Sequence, residues 1–152
     1  GRRLLPMLRR PWSKETTYWK NRYKGACQSL FFITRPVLAP KYIATVEEIA
    51  PKHGYPVKEI GVYLQPIEHN RACQLEFEFF YNPASNSDAE MVRNLYRNAA
   101  LTLINEGALF TRPYGELAKM VYERAASYAI TLRRVKKLFD PNNIMNPGNL
   151  CF

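Results

Sequence analysis

No apolar run in this chain approaches the about 18 residues that a membrane-spanning helix needs. Its opening stretch, GRRLLPMLRRPWSK, is basic and broken by Pro6 and Pro11, where a secretory leader has an uninterrupted apolar segment. Cysteine is scarce. Cys27, Cys73 and Cys151 form an odd set without metal-ligand spacing, which excludes a complete disulfide framework and gives no reason to expect a metal site. Cysteines in apolar, strand-like surroundings act as small hydrophobes, and the pattern points to a reducing, cytoplasmic compartment. Also missing are G-x-G-x-x-G, the P-loop, H-E-x-x-H and the nucleophile elbow. The chain therefore carries no dinucleotide-binding site of its own.

The 152 residues suffice for one ordinary domain with a single core, and a 47% hydrophobic share fits a packed protein. The first residue is Gly rather than Met, which suggests a piece of a larger protein. Lys and Arg outnumber Asp and Glu by 22 to 13, a net charge of +9. The excess is compatible with a polyanion, with an acidic partner or small anionic substrate, or with the basic part of a better-balanced whole. It concentrates at Arg2, Arg3, Arg9 and Arg10 and again at Arg133, Arg134, Lys136 and Lys137.

Residues 1–13 read as an irregular basic arm. Ser13 then serves as N-cap for a short helix holding Tyr18, Trp19 and Tyr23, which Gly25 ends. ACQSLFFIT (Ala26–Thr34) predicts a buried strand, stopped by Pro36. Pro40 suits the first turn of a helix with the stripe Tyr42, Ile43, Val46 and Ile49, closed near Gly54. His53, in that helix's last turn, reads as structural. Val57–Ile67 predicts a second strand, His69-Asn70 a turn, and Cys73–Asn82 a third strand. That strand alternates, with Leu75, Phe77, Phe79 and Tyr81 on one face and Gln74, Glu76, Glu78 and Phe80 on the other. SDAE (Ser87–Glu90) reads as a capping box opening a helix with Met91, Leu95, Ala99 and Leu103 inward. Extended ALFTRPYG (Ala108–Gly115) follows. One long helix then has the stripe Leu117, Val121, Ala125, Tyr128, Leu132, Val135 and Phe139. The expected fold is α+β, a ferredoxin-like antiparallel sheet with helices on one face, plus a C-terminal helix and hook.

Three polar features can carry chemistry. Glu76 and Glu78 lie on one face of a strand, about 7 Å apart. Neighbouring carboxylates raise one another's pKa and make a general acid or base, although the same pair also suits the solvated side of a half-buried sheet. Arg112, in TRPYG, sits on a short stiff segment where a guanidinium fork can meet a carboxylate, phenolate or phosphate, or simply a surface ion pair. Tyr114 is beside it as an aromatic wall or hydrogen-bond donor. His69, at the hairpin turn, can serve as a general acid or base or is an ordinary polar loop residue.

The terminal stretch RRVKKLFDPNNIMNPGNL (Arg133–Leu150) closely resembles the C-terminal signature of FAD-linked oxidases of the vanillyl-alcohol oxidase and p-cresol methylhydroxylase superfamily. That resemblance implies a chain made of half a flavoprotein cap domain plus a segment returning to an FAD-binding domain of the same parent protein. The expected organisation is a basic arm and short helix (1–24), a cap or substrate domain (25–115), and a helix and hook (116–152). Ile144 and Met145 would anchor the tail on the FAD-binding domain, with Asn143 and Asn146 at the cofactor. FAD would be held mainly by that other domain, and the isolated chain would be inactive.

In the phenol-oxidising members a Tyr-Arg pair binds the substrate phenolate. Arg112 matches the arginine, Thr111 stands where the tyrosine would be, and Phe110 and Tyr114 are the nearby aromatics. In the hydroxy-acid members the hairpin bears H-x-G-D-G-N-x-H; here His69–Glu76 reads HNRACQLE, without the Gly-Asp-Gly-Asn core. The resemblance thus implies hydride transfer from an alcohol or alkylphenol-type substrate to flavin, with a 2-hydroxy-acid (glycolate- or lactate-like) dehydrogenase as the alternative. Arg112, Glu76, Glu78 and His69 are the candidate catalytic residues, and Arg112, Tyr114 and Phe110 the candidate substrate contacts. A ferredoxin-like RNA-binding module is the rival of another class. Glu76 and Glu78, and the absent RNA-binding signature, count against nucleic acid. A homodimer is a further expectation.

Overall fold

The computed structural model describes residues 18–152. Ser13 and the four N-terminal arginines lie outside the described residues. A 3-10 turn at Trp19–Asn21 leads into β1 (Ala26–Thr34), α1 (Ala39–Lys52), β2 (Ile60–Ile67), β3 (Ala72–Tyr81), α2 (Asn86–Asn105), α3 (Gly115–Arg124) and α4 (Ala126–Phe139). The strands form an antiparallel sheet in the order β1-β3-β2. A single antiparallel bridge sets Leu109 beside Ile33 on the far side of β1. The fold is α+β, as the sequence pattern predicts.

β3 is central, and its alternation decides which face the helices cover. Cys73, Leu75, Phe77 and Phe79 are fully buried under α1 and α2. They lie on the same face as their cross-strand neighbours Leu30 and Phe32 of β1. From α1 come Tyr42, Val46 and Ile49; from α2 come Val92, Leu95, Tyr96, Ala99, Ala100 and Leu103. Aromatic rings fill the centre, with Phe32 edge-on to Tyr42 at 5.2 Å between centroids and 5.3 Å from Phe110. Burying one such phenylalanine stabilises the fold by roughly 1.5–3 kcal/mol.

Two local expectations shift. β2 starts at Ile60, because Val57–Glu59 is a 3-10 turn closed by a hydrogen bond from Glu59 N to Pro56 O. Tyr55 takes the place of the lost strand pairing. Its hydroxyl accepts from Phe80 N at 2.8 Å and donates to Phe80 O at 3.1 Å. The N-cap of α2 is Ser85, not Ser87: Asp88 N donates to Ser85 Oγ. The chain enters the helix two residues early because Asn82 Oδ1 accepts from Ala84 N and tightens the preceding turn. His53 behaves as a structural residue, its Nε2 3.1 Å from Asn98 Nδ2 of α2.

The largest correction concerns the long C-terminal helix. It is two helices, broken at Ala125, whose φ and ψ are −111° and 46°. α3 packs on the core through Leu117 and Ala118, whereas α4 buries only Ala129. Tyr128, Val135 and Phe139, predicted to face inward, are exposed, Phe139 by 82%. Within that stripe Tyr128 stacks on Tyr122 of α3 at 6.5 Å between centroids, while Val135 and Phe139 stay largely in solvent. No helix among the described residues is long and apolar enough to cross a membrane.

Candidate functional site

Glu76 and Glu78 point from β3 to the face away from the helices, where the sequence reads a solvated surface. Glu78 is buried instead, only 4% exposed. The reason is Lys20. The 3-10 turn Trp19–Asn21 lies across this face and sets the Lys20 ammonium 2.5 Å from Glu76 Oε1, 2.7 Å from Glu78 Oε1 and 2.9 Å from Ser29 Oγ. Three acceptors match the three donors of an ammonium. Burial works to lower the Lys20 pKa, but its hydrogen bonds to Glu76 and Glu78 outweigh that and hold it above the usual lysine range. Cys27, on the same face, has its thiol pushed up to about 11, first by burial and then by the Glu78 charge.

The segment over this face is fixed at two more points. Lys24 Nζ is 2.5 Å from Glu59 Oε2, and Tyr23 meets Phe80 edge-on at 5.6 Å. Gly61 of β2 makes room beneath it. A Cβ there would lie 2.9 Å from Glu78 Cβ and 3.2 Å from the Phe80 ring, so this position admits only glycine without movement of Glu78.

The other predicted residues lie elsewhere. Arg112 is exposed and makes no hydrogen bond or ion pair among the described residues. Phe110, expected at the substrate, is buried in the core against Phe32 and is only 6% exposed. Tyr114 is 52% exposed. It borders an open groove of about 320 Å³ with Gln28, Tyr81, Arg93, Tyr96 and Glu116, on the helix-covered side of the sheet. Burial raises the Tyr96 pKa above the tyrosine range. His69 sits exposed on the β2–β3 turn, within three consecutive left-handed residues, Glu68, His69 and Asn70. No contact joins Arg112, His69 and the carboxylate pair.

Two residues of these clusters escape sequence reasoning. Lys20 is one lysine among many on a polar turn, 56 positions from Glu76. Arg93 lies on the outer side of α2, where an arginine signals nothing.

The hook after α4 is organised by Asp140, 5% exposed. Its carboxylate accepts from Ile144 N and from Met145 N, each at 2.9 Å. Lys136 Nζ bonds both Asp140 and the Met145 carbonyl. The Lys136 hydrogen bond leads in holding the Asp140 pKa below its usual value, and the two amides add to it. Asn143 and Asn146 adopt φ of 50° and 49°, left-handed turn positions that asparagine tolerates well. Arg133 Nε donates to Cys151 O at 2.9 Å and ties the chain end back to α4. With its frame fixed in this way, the hook leaves Ile144 78% and Met145 62% exposed. A groove of about 690 Å³ runs between α3, α4 and the chain end, lined among others by Lys119, Tyr122, Arg133 and Phe152.

No cluster of His, Cys, Asp and Glu among the described residues could hold a metal ion. No curated protein and no solved structure matches the chain. Residues 114–150, which hold α3, α4 and the hook through Leu150, match the family model of FAD linked oxidases, C-terminal domain, and this part of the chain is similar to the C-terminal domain of a flavin oxidoreductase.

Proposed function

We propose that the chain is the substrate-domain and C-terminal part of an FAD-dependent oxidoreductase that moves hydride from an alcohol or alkylphenol-type substrate to flavin. The observation that carries this reading is the hook. Within the segment that matches the family model, a turn pinned by Asp140 leaves Ile144 and Met145 in solvent, as Leu138 and Phe139 are, and Met145 and Phe139 line one groove. Large apolar side chains exposed on a hydrogen-bonded frame suit a docked domain better than open water. The sheet supports the same reading. Among the described residues α-helices cover one face of the three-stranded sheet, and the lone Leu109 bridge lies on the β1 edge, where a ferredoxin-like sheet has its fourth strand.

The described residues offer no glycine-rich phosphate-binding turn, and their grooves are open. FAD therefore belongs to another domain of the parent protein, where it would accept the hydride. This chain's own residues bind and orient the substrate. Arg112, with a free guanidinium, pairs with a substrate anion. Tyr114, two residues on, lines the open groove on the helix-covered side of the sheet. Glu76 and Glu78, held by Lys20 on the opposite face of the sheet, and His69 on the β2–β3 turn lie outside that groove, so the binding role falls to Arg112 and Tyr114. The absent Gly-Asp-Gly-Asn core ranks 2-hydroxy acids second. The carboxylates on that sheet face, and the Trp19–Asn21 turn laid across it, count against RNA there.

The test combines the chain with the FAD-binding domain of its parent protein. Flavin retained by the pair, and bleached anaerobically by an alcohol or alkylphenol, supports the proposal. Arg112→Ala should then raise KM for anionic substrates at least tenfold. No association with that domain, and no flavin reduction by alcohols, alkylphenols or 2-hydroxy acids, refutes it.

A further inference from the structure

The open edge of the sheet leads beyond this reading. Among the described residues β2 is an outer strand, paired only with β3. Val62, Tyr63 and Leu64 are 45%, 49% and 42% exposed. From Ile60 to Ile67 the strand carries no charge, although soluble proteins ordinarily protect such edges with lysine, bulges or cover. We infer that β2 pairs antiparallel with β2 of a second copy of this chain, making one continuous six-stranded sheet about a two-fold axis at Val62.

The backbone fixes which groups are free. Ile33 exchanges both its bonds with Leu109, away from β3. Gln74, opposite Ile33, therefore points its N–H and C=O toward β2. Phe80 points the same way, into Tyr55. In an antiparallel ladder this direction alternates along a strand. Gly61, Tyr63 and Gln65, opposite Glu78, Glu76 and Gln74, thus spend their backbone groups on β3. Ile60, Val62 and Leu64 turn theirs outward. Pro66 also faces out and has no N–H to give.

Only a few self-pairings use these groups. With Val62 opposite Val62 of the other copy, Ile60 falls opposite Leu64 and Leu64 opposite Ile60. All three outward residues of each copy then find full partners, and Pro66 lies beyond the ladder. Moving the register by two residues puts Pro66 opposite Ile60 and loses donors. The same arrangement sets Tyr63 opposite Gly61, so no side chain competes with the ring. It also brings the Lys58 end of one strand beside the Glu68 end of the other. Both residues are exposed and have no ion-pair partner among the described residues, and their charges are opposite. A second copy of the edge is thus complementary in hydrogen bonds, shape and charge.

The experiment is single-cysteine cross-linking with sedimentation equilibrium on the whole chain. Directly opposed residues that exchange hydrogen bonds have Cα atoms about 5.5 Å apart, within reach of a disulfide. Val62→Cys should form a covalent dimer under mild oxidation, while wild type, with its own three cysteines, should not. Val62→Lys places two ammonium groups at the axis and should weaken the dimer more than about tenfold. Lys58→Glu should weaken it and Lys58→Glu with Glu68→Lys should restore it. Circular dichroism on each variant confirms that the exposed substitutions leave the fold intact. A chain that stays monomeric, or a dimer indifferent to Val62→Lys with no Val62→Cys cross-link, overturns the inference. Pairing of this edge with a different protein while the chain alone is monomeric overturns it equally. None of these readouts involves flavin, so they stand or fall apart from the oxidoreductase proposal.

Discussion

The Lys20 ammonium lies 2.7 Å from Glu78 Oε1, on a carboxylate that is only 6% exposed. One cation holds two acids here, and the loss of either sign leaves charge in a poorly solvated place. Lys20→Met should destabilise the chain by about 3 kcal/mol, the usual cost of breaking a buried pair from one side, as read from urea unfolding. Glu76→Gln with Glu78→Gln added to Lys20→Met should recover part of that loss.

The same ammonium gives a pH dependence with a definite sign. Its pKa is raised in the folded chain from 10.5, so its contribution is complete below that value. It declines as pH rises through the folded pKa. Stability measured from neutral to alkaline pH should fall above about 10.5. Lys20→Met should lack that part of the decline.

Tyr55→Phe removes a hydroxyl that serves both backbone groups of Phe80. Tyr55 is 1% exposed, so water replaces the bond poorly. The expected loss is about 1–3 kcal/mol. The Tyr55 pKa is pushed up to about 12, chiefly by burial, so Tyr55 should titrate late alongside Tyr96, and the late-titrating absorbance in ultraviolet difference spectra should shrink in the variant without disappearing.

Gly61→Ala drives a methyl to 2.9 Å from Glu78 Cβ. Glu78 cannot retreat while Lys20 holds it. The chain should lose about 1–3 kcal/mol in urea unfolding, whereas Gly107→Ala, which meets nothing within 4 Å, should cost only its backbone strain.

Asp140→Ala should free the hook without unfolding the domain. Amide exchange at Ile144 and Met145 should quicken sharply, while that of Phe77 stays unchanged. Because the Asp140 pKa is depressed from 3.8, its hold is complete above that value and is lost as pH falls through the lower folded one. Wild type under acid conditions should therefore show the same loosening.

β1 was legible because four contiguous apolar residues, Leu30–Ile33, stand between Gly25 and Pro36, and the faces of β3 because its alternation has no break from Gln74 to Phe77. The capping serine was missed by two positions, since Ser85 and Ser87 look alike until the Asn82 turn is formed. The break at Ala125 has no Gly or Pro to announce it; alanine favours helix, and here tertiary packing of α3 alone overrides that preference. The candidate site was readable as a list of residue types. That Glu76 and Glu78 are occupied by Lys20, and that Phe110 belongs to the core, depends on which distant segments meet, and no local pattern encodes that.

Asp140 completes the hook before anything meets it. Association with a receiving surface then demands little further loss of backbone freedom, since the conformational entropy was surrendered when the chain folded. A preshaped tail of this kind recognises by fit, and its affinity should track the contour of Ile144 and Met145 more closely than the length of the segment that carries them.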